Sequence, residues 1–206
     1  MITIEPSAHR YFCIYKPFNM VSQFISPDDV GLLGDIDFDF PEGTHAIGRL
    51  DNHSEGLLLL TTNKKITRLL FESAVPHKRT YLVQVSHEVT PQRLEILRTG
   101  VTIRVKGGGD WVTTPCQVEI VDMPPRLAAG AFIFRKEIPH TWLSITLTEG
   151  KFHQVRKMVR AVNHRCQRLI RTSIEDMVLG DLQPGQVREL TEHEFFSQLN
   201  ITDDSI

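Results

Sequence analysis

The sequence predicts an α+β fold: a mostly antiparallel, mixed sheet flanked by helices and loops. Three observations point there. Strand-like and helix-like segments are interspersed without the regular β-α-β alternation that a parallel sheet needs. The stretch around Gly107–Gly108–Gly109–Asp110 reads as hairpin material. One helix, near residues 152–162, carries a clear apolar stripe. The 206 residues suffice for a real core. No repeat or internal linker breaks the chain, so 1–206 is expected to form a single domain.

The elements follow in order. Tyr11, Phe12, Ile14 and Tyr15 open a strand that Lys16-Pro17 stops. Residues 26–43 are rich in Gly, Asp and Pro with no firm period, and read as a loop with one short helical turn. His45 to Asp51 leads through a glycine-containing turn into a strand at Leu57–Thr61. Asn63 is placed to cap a short helix, Lys64 to Phe71, with Ile66, Leu69 and Leu70 on one side. Thr80–Val85 is a strand. Thr90-Pro91 opens a helix bearing Leu94 and Leu97 that ends at Gly100, since threonine caps well and proline suits the first turn. Val101–Val105 and Pro115–Val121 flank the glycine turn as hairpin strands. Asp122–Ala131 is a loop, and Phe132–Phe134 and Thr141–Leu147 are strands.

Phe152, Val155, Met158, Val159 and Val162 then form the apolar stripe of the strong helix, with His153, Arg156 and Arg160 on a second stripe and Lys157 beside His153. Glu149-Gly150 marks the turn into it. Cys166–Ile174, Met177–Leu179 and Gln186–Leu190 are short closing strands. Thr191-Glu-His-Glu194 has the pattern of a capping box for a last helix to Leu199.

Composition narrows the class. A hydrophobic share of 41% and a charged share of 23% suit an ordinary globular protein. No apolar run reaches the roughly 20 residues of a membrane span, and the N-terminus lacks the pattern of a secretory signal. Three widely spaced cysteines fit a reducing compartment, so a cytoplasmic location is expected. No Cys-x-x-Cys or His-x-x-x-His pair suggests a metal, and no dinucleotide or phosphate loop suggests a cofactor. None of either is expected. Net charge is only −2, but it is unevenly spread. Residues 28–42 hold six acidic and no basic residues, whereas Lys151 to Arg171 holds seven Lys or Arg and no acidic one. That asymmetry makes a basic face, which fits either a solvated helix or a polyanion partner.

The chemistry centres on Asp51. Gly48-Arg-Leu-Asp51 stands just before Leu57–Leu60, where an arginine and a carboxylate meet an apolar strand. Taken singly, Asp51 reads as a turn residue, Arg49 as an ion-pair partner, Tyr81 as sheet packing and His153 as a helix-face histidine. Taken together, a carboxylate, a tyrosine and an arginine-rich helix suit chemistry on a polyanion bearing planar bases.

Gly48-Arg49-Leu50-Asp51 followed by Ser54-Glu55-Gly56 and the leucines resembles the catalytic motif of the RNA pseudouridine synthases. Leu147 to Met158 resembles a later motif of the branch that modifies ribosomal RNA, Arg79-Thr80-Tyr81 the segment of its active-site tyrosine, and Tyr15-Lys16-Pro17 its first motif. These run in the family's order from about Tyr11 to Leu190. Three positions depart from the family pattern: Asn19 stands where glycine is usual, Arg79 where lysine is, and His53 where aspartate is common. Little chain precedes the first motif, so the sequence is similar to the short forms that lack an N-terminal RNA-binding module of the S4 type and act on large-subunit RNA.

The resemblance implies a pseudouridine synthase fold, with 1–206 as one catalytic domain. It also implies an isomerase that breaks the N1–C1′ bond of a uridine and joins C5 to C1′. In it, Asp51 is the catalytic carboxylate and Arg156 its salt-bridge partner, which favours the charged carboxylate in an apolar setting. Tyr81 stacks on a flipped-out base, and Arg49 contacts the nucleotide or its phosphate. Leu147 walls the base pocket. Lys16, Lys151, His153, Lys157 and Arg160 contact substrate, and the basic stretch to Arg171 follows RNA phosphates. The implied partner is ribosomal RNA, foremost 23S, and the expected state is a monomer without membrane contact. Small-subunit or transfer RNA as substrate, and a non-catalytic ribosomal RNA-binding or assembly factor on the same scaffold, stay open. So does a glycosidase with paired carboxylates drawn from Glu55 and Glu149.

Overall fold

The computed structural model describes residues 9–71, 76–125, 127 and 139–201. Among the described residues, eleven strands and four α-helices follow in chain order: β1 (Tyr11–Lys16), β2 (His45–Ile47), β3 (Glu55–Thr61), α1 (Ile66–Phe71), β4 (Arg79–Ser86), α2 (Pro91–Thr99), β5 (Thr102–Arg104) and β6 (Asp110–Val112). Then come β7 (Gln117–Val121), β8 (His140–Leu147), α3 (Gln154–Ala161), β9 (Cys166–Ile174), β10 (Met177–Val178), β11 (Val187–Leu190) and α4 (Glu192–Gln198). The chain divides into two compact units, Met1–Val75 with Glu175–Ile206, and Pro76–Ile174. Among the described residues, no helix is long and apolar enough to cross a membrane. The expected strand at Phe132–Phe134 lies outside the described residues.

In the first unit, β1 pairs antiparallel with β11 on one side and β3 on the other, and β2 pairs antiparallel with β3. Every residue of β1 and β3 is buried. A strand buried on both faces needs cover on both, and the sequence supplies it from two distant places. Tyr11 packs on Phe195 and Phe196 of α4, at 4.8 and 5.6 Å between ring centroids. Phe12 packs edge-on to Phe38 and Phe40, at 5.5 and 5.8 Å. Thus the acidic segment has a structural task. Ile36, Phe38 and Phe40 are buried or half-buried while Asp37 and Asp39 are exposed. The stretch Ile36–Phe40 does carry a period of two, which the loop reading passed over. Bonds from Phe38 N to Ile36 O at 2.7 Å and from Phe40 N to Phe38 O at 3.1 Å close successive tight turns along this strap. The helical turn expected in this segment is a short 3-10 turn at Leu33–Asp35.

The capping box of α4 forms as predicted. Glu194 N donates to Thr191 Oγ1 at 3.2 Å, and Thr191 N donates to Glu194 Oε2 at 2.9 Å. Asn63 Oδ1 accepts from Lys65 N at 3.1 Å, so α1 starts at Ile66, two residues later than expected.

In the second unit the strand order is β9-β4-β8-β7, all antiparallel. The strands at Val101–Val105 and Pro115–Val121 do not pair with each other. β5 pairs with β6 across the glycine tip, and β7 joins β8 instead. Gly100 ends α2 and leads into β5 at φ +115°, where a Cβ would lie 2.5 Å from the Thr113 carbonyl oxygen. Thr90 caps α2 through Arg93 N at 3.4 Å. Val155, Met158, Val159 and Val162 of the α3 stripe are buried in one core with Val83, Leu143, Ile145 and Leu147. Phe152 does not join them. It lies outside the helix and is 57% exposed. The cause is His153, which has φ +55° and acts as the N-cap, so the chain turns before α3 begins.

Candidate active site

Asp51 sits in the seven-residue loop between β2 and β3. Leu50 is buried, Arg49 is exposed, and Asp51 is half-buried between them and the following turn. Ser54 N donates to Asp51 O at 2.9 Å, closing that turn. Both neighbours of Asp51 are clamped by residues 16–22, the end of β1 and the segment that follows it. On one side, Ser22 Oγ accepts from Leu50 N at 2.9 Å and donates to Leu50 O at 3.0 Å. On the other, Asn52 O accepts from Asn19 N at 3.0 Å and from Lys16 Nζ at 3.4 Å. The ring of His53 stacks on Phe18 at 5.2 Å. The loop backbone is therefore fixed by four bonds to one short segment, which orients the carboxylate at little cost in ordering.

Lys16 departs from the substrate contact expected of it. It is 0% exposed, and its ammonium also donates to Pro17 O at 2.7 Å and Met20 O at 2.6 Å. A buried ammonium must be met by acceptors, and here they are carbonyls of the loop it ties together. Asn19 has φ +60°. That explains why glycine is usual there, and why asparagine, the non-glycine residue that best tolerates this region, can replace it. Ser22 was not singled out in the sequence. A serine six residues after a strand lysine carries no local signal of a partner 28 positions away.

The other site candidates lie in the second unit. Tyr81 is half-buried on β4, paired with Ile145 of β8 and, after a bulge, with Arg171 of β9. It packs against the core that contains Leu147, which is itself 2% exposed and so a core side chain. Arg79 pairs with Leu147, and its guanidinium lies against the Glu-Gly turn: a Cβ on Gly150 would be 3.3 Å from Arg79 Nη1.

Glu149 organises that turn. Its carboxylate accepts from Trp111 Nε1 at 3.0 Å, Thr114 N at 2.9 Å and Gln154 Nε2 at 2.7 Å. Gln154 Oε1 in turn accepts from Lys151 N at 2.8 Å. A carboxylate engaged by three donors is a scaffold, and Glu55 is 3% exposed. Neither fits the free paired acid and base of a glycosidase.

Arg156 and Lys157 on α3 are half-buried and Arg160 is exposed. Cys166 lies near Arg156: burial pushes its thiol up to about 11, and the Arg156 charge opposes that shift. The basic stretch is not exposed along its whole length. Arg168 and Arg171 on β9 are 7% and 3% exposed, whereas Arg160 and Arg165 face solvent. Among the described residues, no group of three His, Cys, Asp or Glu side chains is placed to hold a metal ion.

The fold is that of a pseudouridylate synthase. A crystal structure of a pseudouridylate synthase superimposes with a TM-score of 0.74 at 28% identity, over 93% of this chain and 74% of that one. The family model described as RNA pseudouridylate synthase matches residues 10–161. The ribosomal large subunit pseudouridine synthase E of Vibrio parahaemolyticus is 39% identical over 177 residues, 85% of this chain and 71% of that protein. The protein of the same name from Xanthomonas axonopodis pv. citri is 36% identical over 171 residues, 82% of this chain and 87% of that protein. The chain belongs to the RNA pseudouridylate synthase family and is an isomerase acting on RNA.

Proposed function

We propose that the chain converts one uridine of large-subunit (23S) ribosomal RNA to pseudouridine, with Asp51 as the catalytic carboxylate. The names of the relatives support the substrate. The observation that carries the role of Asp51 is its loop, in which both neighbouring residues are tied down by Ser22, Asn19 and Lys16 while Asp51 itself is only half-buried.

In this reading the target uridine leaves its stack to reach the carboxylate. The N1–C1′ bond breaks, C5 bonds to C1′, and the C5 proton is lost while N1 gains one, so the reaction is balanced without a co-reactant. Tyr81 stacks on the uracil, a contact worth roughly 1–3 kcal/mol, and takes part in moving the C5 proton. Arg156 is the ion-pair partner of Asp51. Arg49, exposed beside Asp51, binds the nucleotide or its phosphate. Leu147 backs Tyr81 from the core. Lys151, His153, Lys157 and Arg160 hold the RNA, and Lys16 acts through the loop.

The test is release of tritium from large-subunit ribosomal RNA labelled with 5-³H-uridine. Asp51→Asn is expected to bind this RNA and release none. Full release by this variant would sink the assignment of Asp51, and no release by the wild-type chain would leave it as an RNA-binding scaffold. Pseudouridine mapping in cells with and without the protein then names the uridine.

A further inference from the structure

We infer that Trp111 and Phe152, with Lys151 and Lys157, form a stacking site for single-stranded RNA flanking the target uridine. It rests on RNA as the substrate and not on the role of Asp51. Trp111 is 38% exposed and Phe152 57% exposed, in a unit whose other core-helix apolar residues are buried. Large rings left in water lose the stabilisation that burial would bring, so such a patch calls for a partner.

Two cation–ring contacts lie on neighbouring residues here. Lys151 Nζ lies 3.8 Å above the Trp111 ring, and Phe152 follows Lys151 directly in the chain. The Phe152 ring stacks on His153 at 3.8 Å and 18° between planes, and Lys157 Nζ lies 5.3 Å from the Phe152 centroid. Each exposed ring is thus accompanied by an ammonium group, Trp111 by Lys151 and Phe152 by Lys157.

Each ring is also held in place. The Trp111 indole N–H is fixed by Glu149 at 3.0 Å, the Lys151 backbone by Gln154, and the Phe152–His153 pair by the left-handed turn at His153. Preorganised rings lose little freedom on binding. Exposed cations Arg104 and Lys106 lie on the same β5–β6 hairpin as Trp111.

Rings accompanied by cations match the bases and phosphates of a single strand. A duplex hides its base faces in the stack and presents mainly phosphates and 2′-hydroxyls, which would leave the rings unused. The positive charge argues against an apolar protein partner.

The test is fluorescence anisotropy with an end-labelled oligouridylate of about twelve nucleotides, within the span single-strand sites cover. Trp111→Ala and Phe152→Ala are each expected to weaken binding about tenfold. Trp111→Phe, which keeps a ring, should recover most of the affinity. Affinities of both alanine variants equal to the wild type would overturn the site, as would equal affinity for a double-stranded RNA of the same length. Intrinsic fluorescence gives a second reading. The chain has two tryptophans, and Trp142 is 6% exposed, so the emission quenched by oligouridylate should vanish in Trp111→Phe. A quench that survives in that variant overturns the proposal. The role of Asp51 is read by tritium release and the stacking site by oligouridylate binding, so failure of one assignment is distinguishable from failure of the other.

Discussion

At the scale of the residue, charge is a poor guide to position. The Lys16 ammonium is fully buried on backbone carbonyls, and Arg168 and Arg171 are interior. Lys16→Met should leave those carbonyls without their donor and cost about 2–4 kcal/mol in urea unfolding. Ser22 is the sharper test, because its hydroxyl both accepts from and donates to Leu50. Ser22→Ala should lower kcat by about tenfold or more through misplacement of Asp51, with RNA affinity unchanged and a stability loss near 1–2 kcal/mol. An unchanged kcat would mean that the clamp does not orient the carboxylate. Burial pushes the Cys116 and Cys166 thiols up to about 11. A folded-state value above the unfolded one stabilises the protein below the ordinary thiol range, and that contribution is lost as pH rises towards 11. Native thiols should therefore alkylate slowly at pH 8 compared with the urea-unfolded chain, and unfolding should become easier between pH 9 and 11.

At the scale of the element, capping decides where helices begin. The capping box of α4 and the Thr90-Pro91 start of α2 are written in four-residue patterns, and both formed as read. Thr191→Ala should cost about 1 kcal/mol by thermal melting. Glu194 is held below the usual carboxylate range, first by the Thr191 hydroxyl and then by its backbone N–H. A lowered folded value gives stability that is present above the ordinary carboxylate pKa and lost as pH falls through the depressed one. α4 should thus fray first in acid, visible in amide exchange. The start of α3 shows the opposite case. Its apolar spacing includes Phe152, yet the left-handed His153 excludes it, since a periodic pattern carries no record of a single positive φ.

At the scale of the whole molecule, the basic surface is smaller than the basic sequence. Lys151, Lys157, Arg160 and Arg165 are the cations of that stretch with solvent access beside Arg156, and β9 withdraws two more. Each alanine replacement among the four should reduce the salt slope of single-stranded RNA binding by about 0.7. An unchanged slope for Lys157→Ala would remove it from the RNA surface.

The family, the α+β class and the motif positions were legible in the amino-acid order, because they rest on local spacing: Arg-Leu-Asp before an apolar strand, a period near 3.6 in α3, caps in short patterns. Tertiary structure alone decided what those residues touch. It paired the strap of Phe38 and Phe40 with β1, set Ser22 on Leu50, buried Lys16, Arg168 and Arg171, and left Trp111 and Phe152 in water. The reason is physical. Propensity and period act over a few residues, whereas burial and hydrogen-bond partnership are fixed by segments tens of residues apart, whose meeting no local pattern encodes.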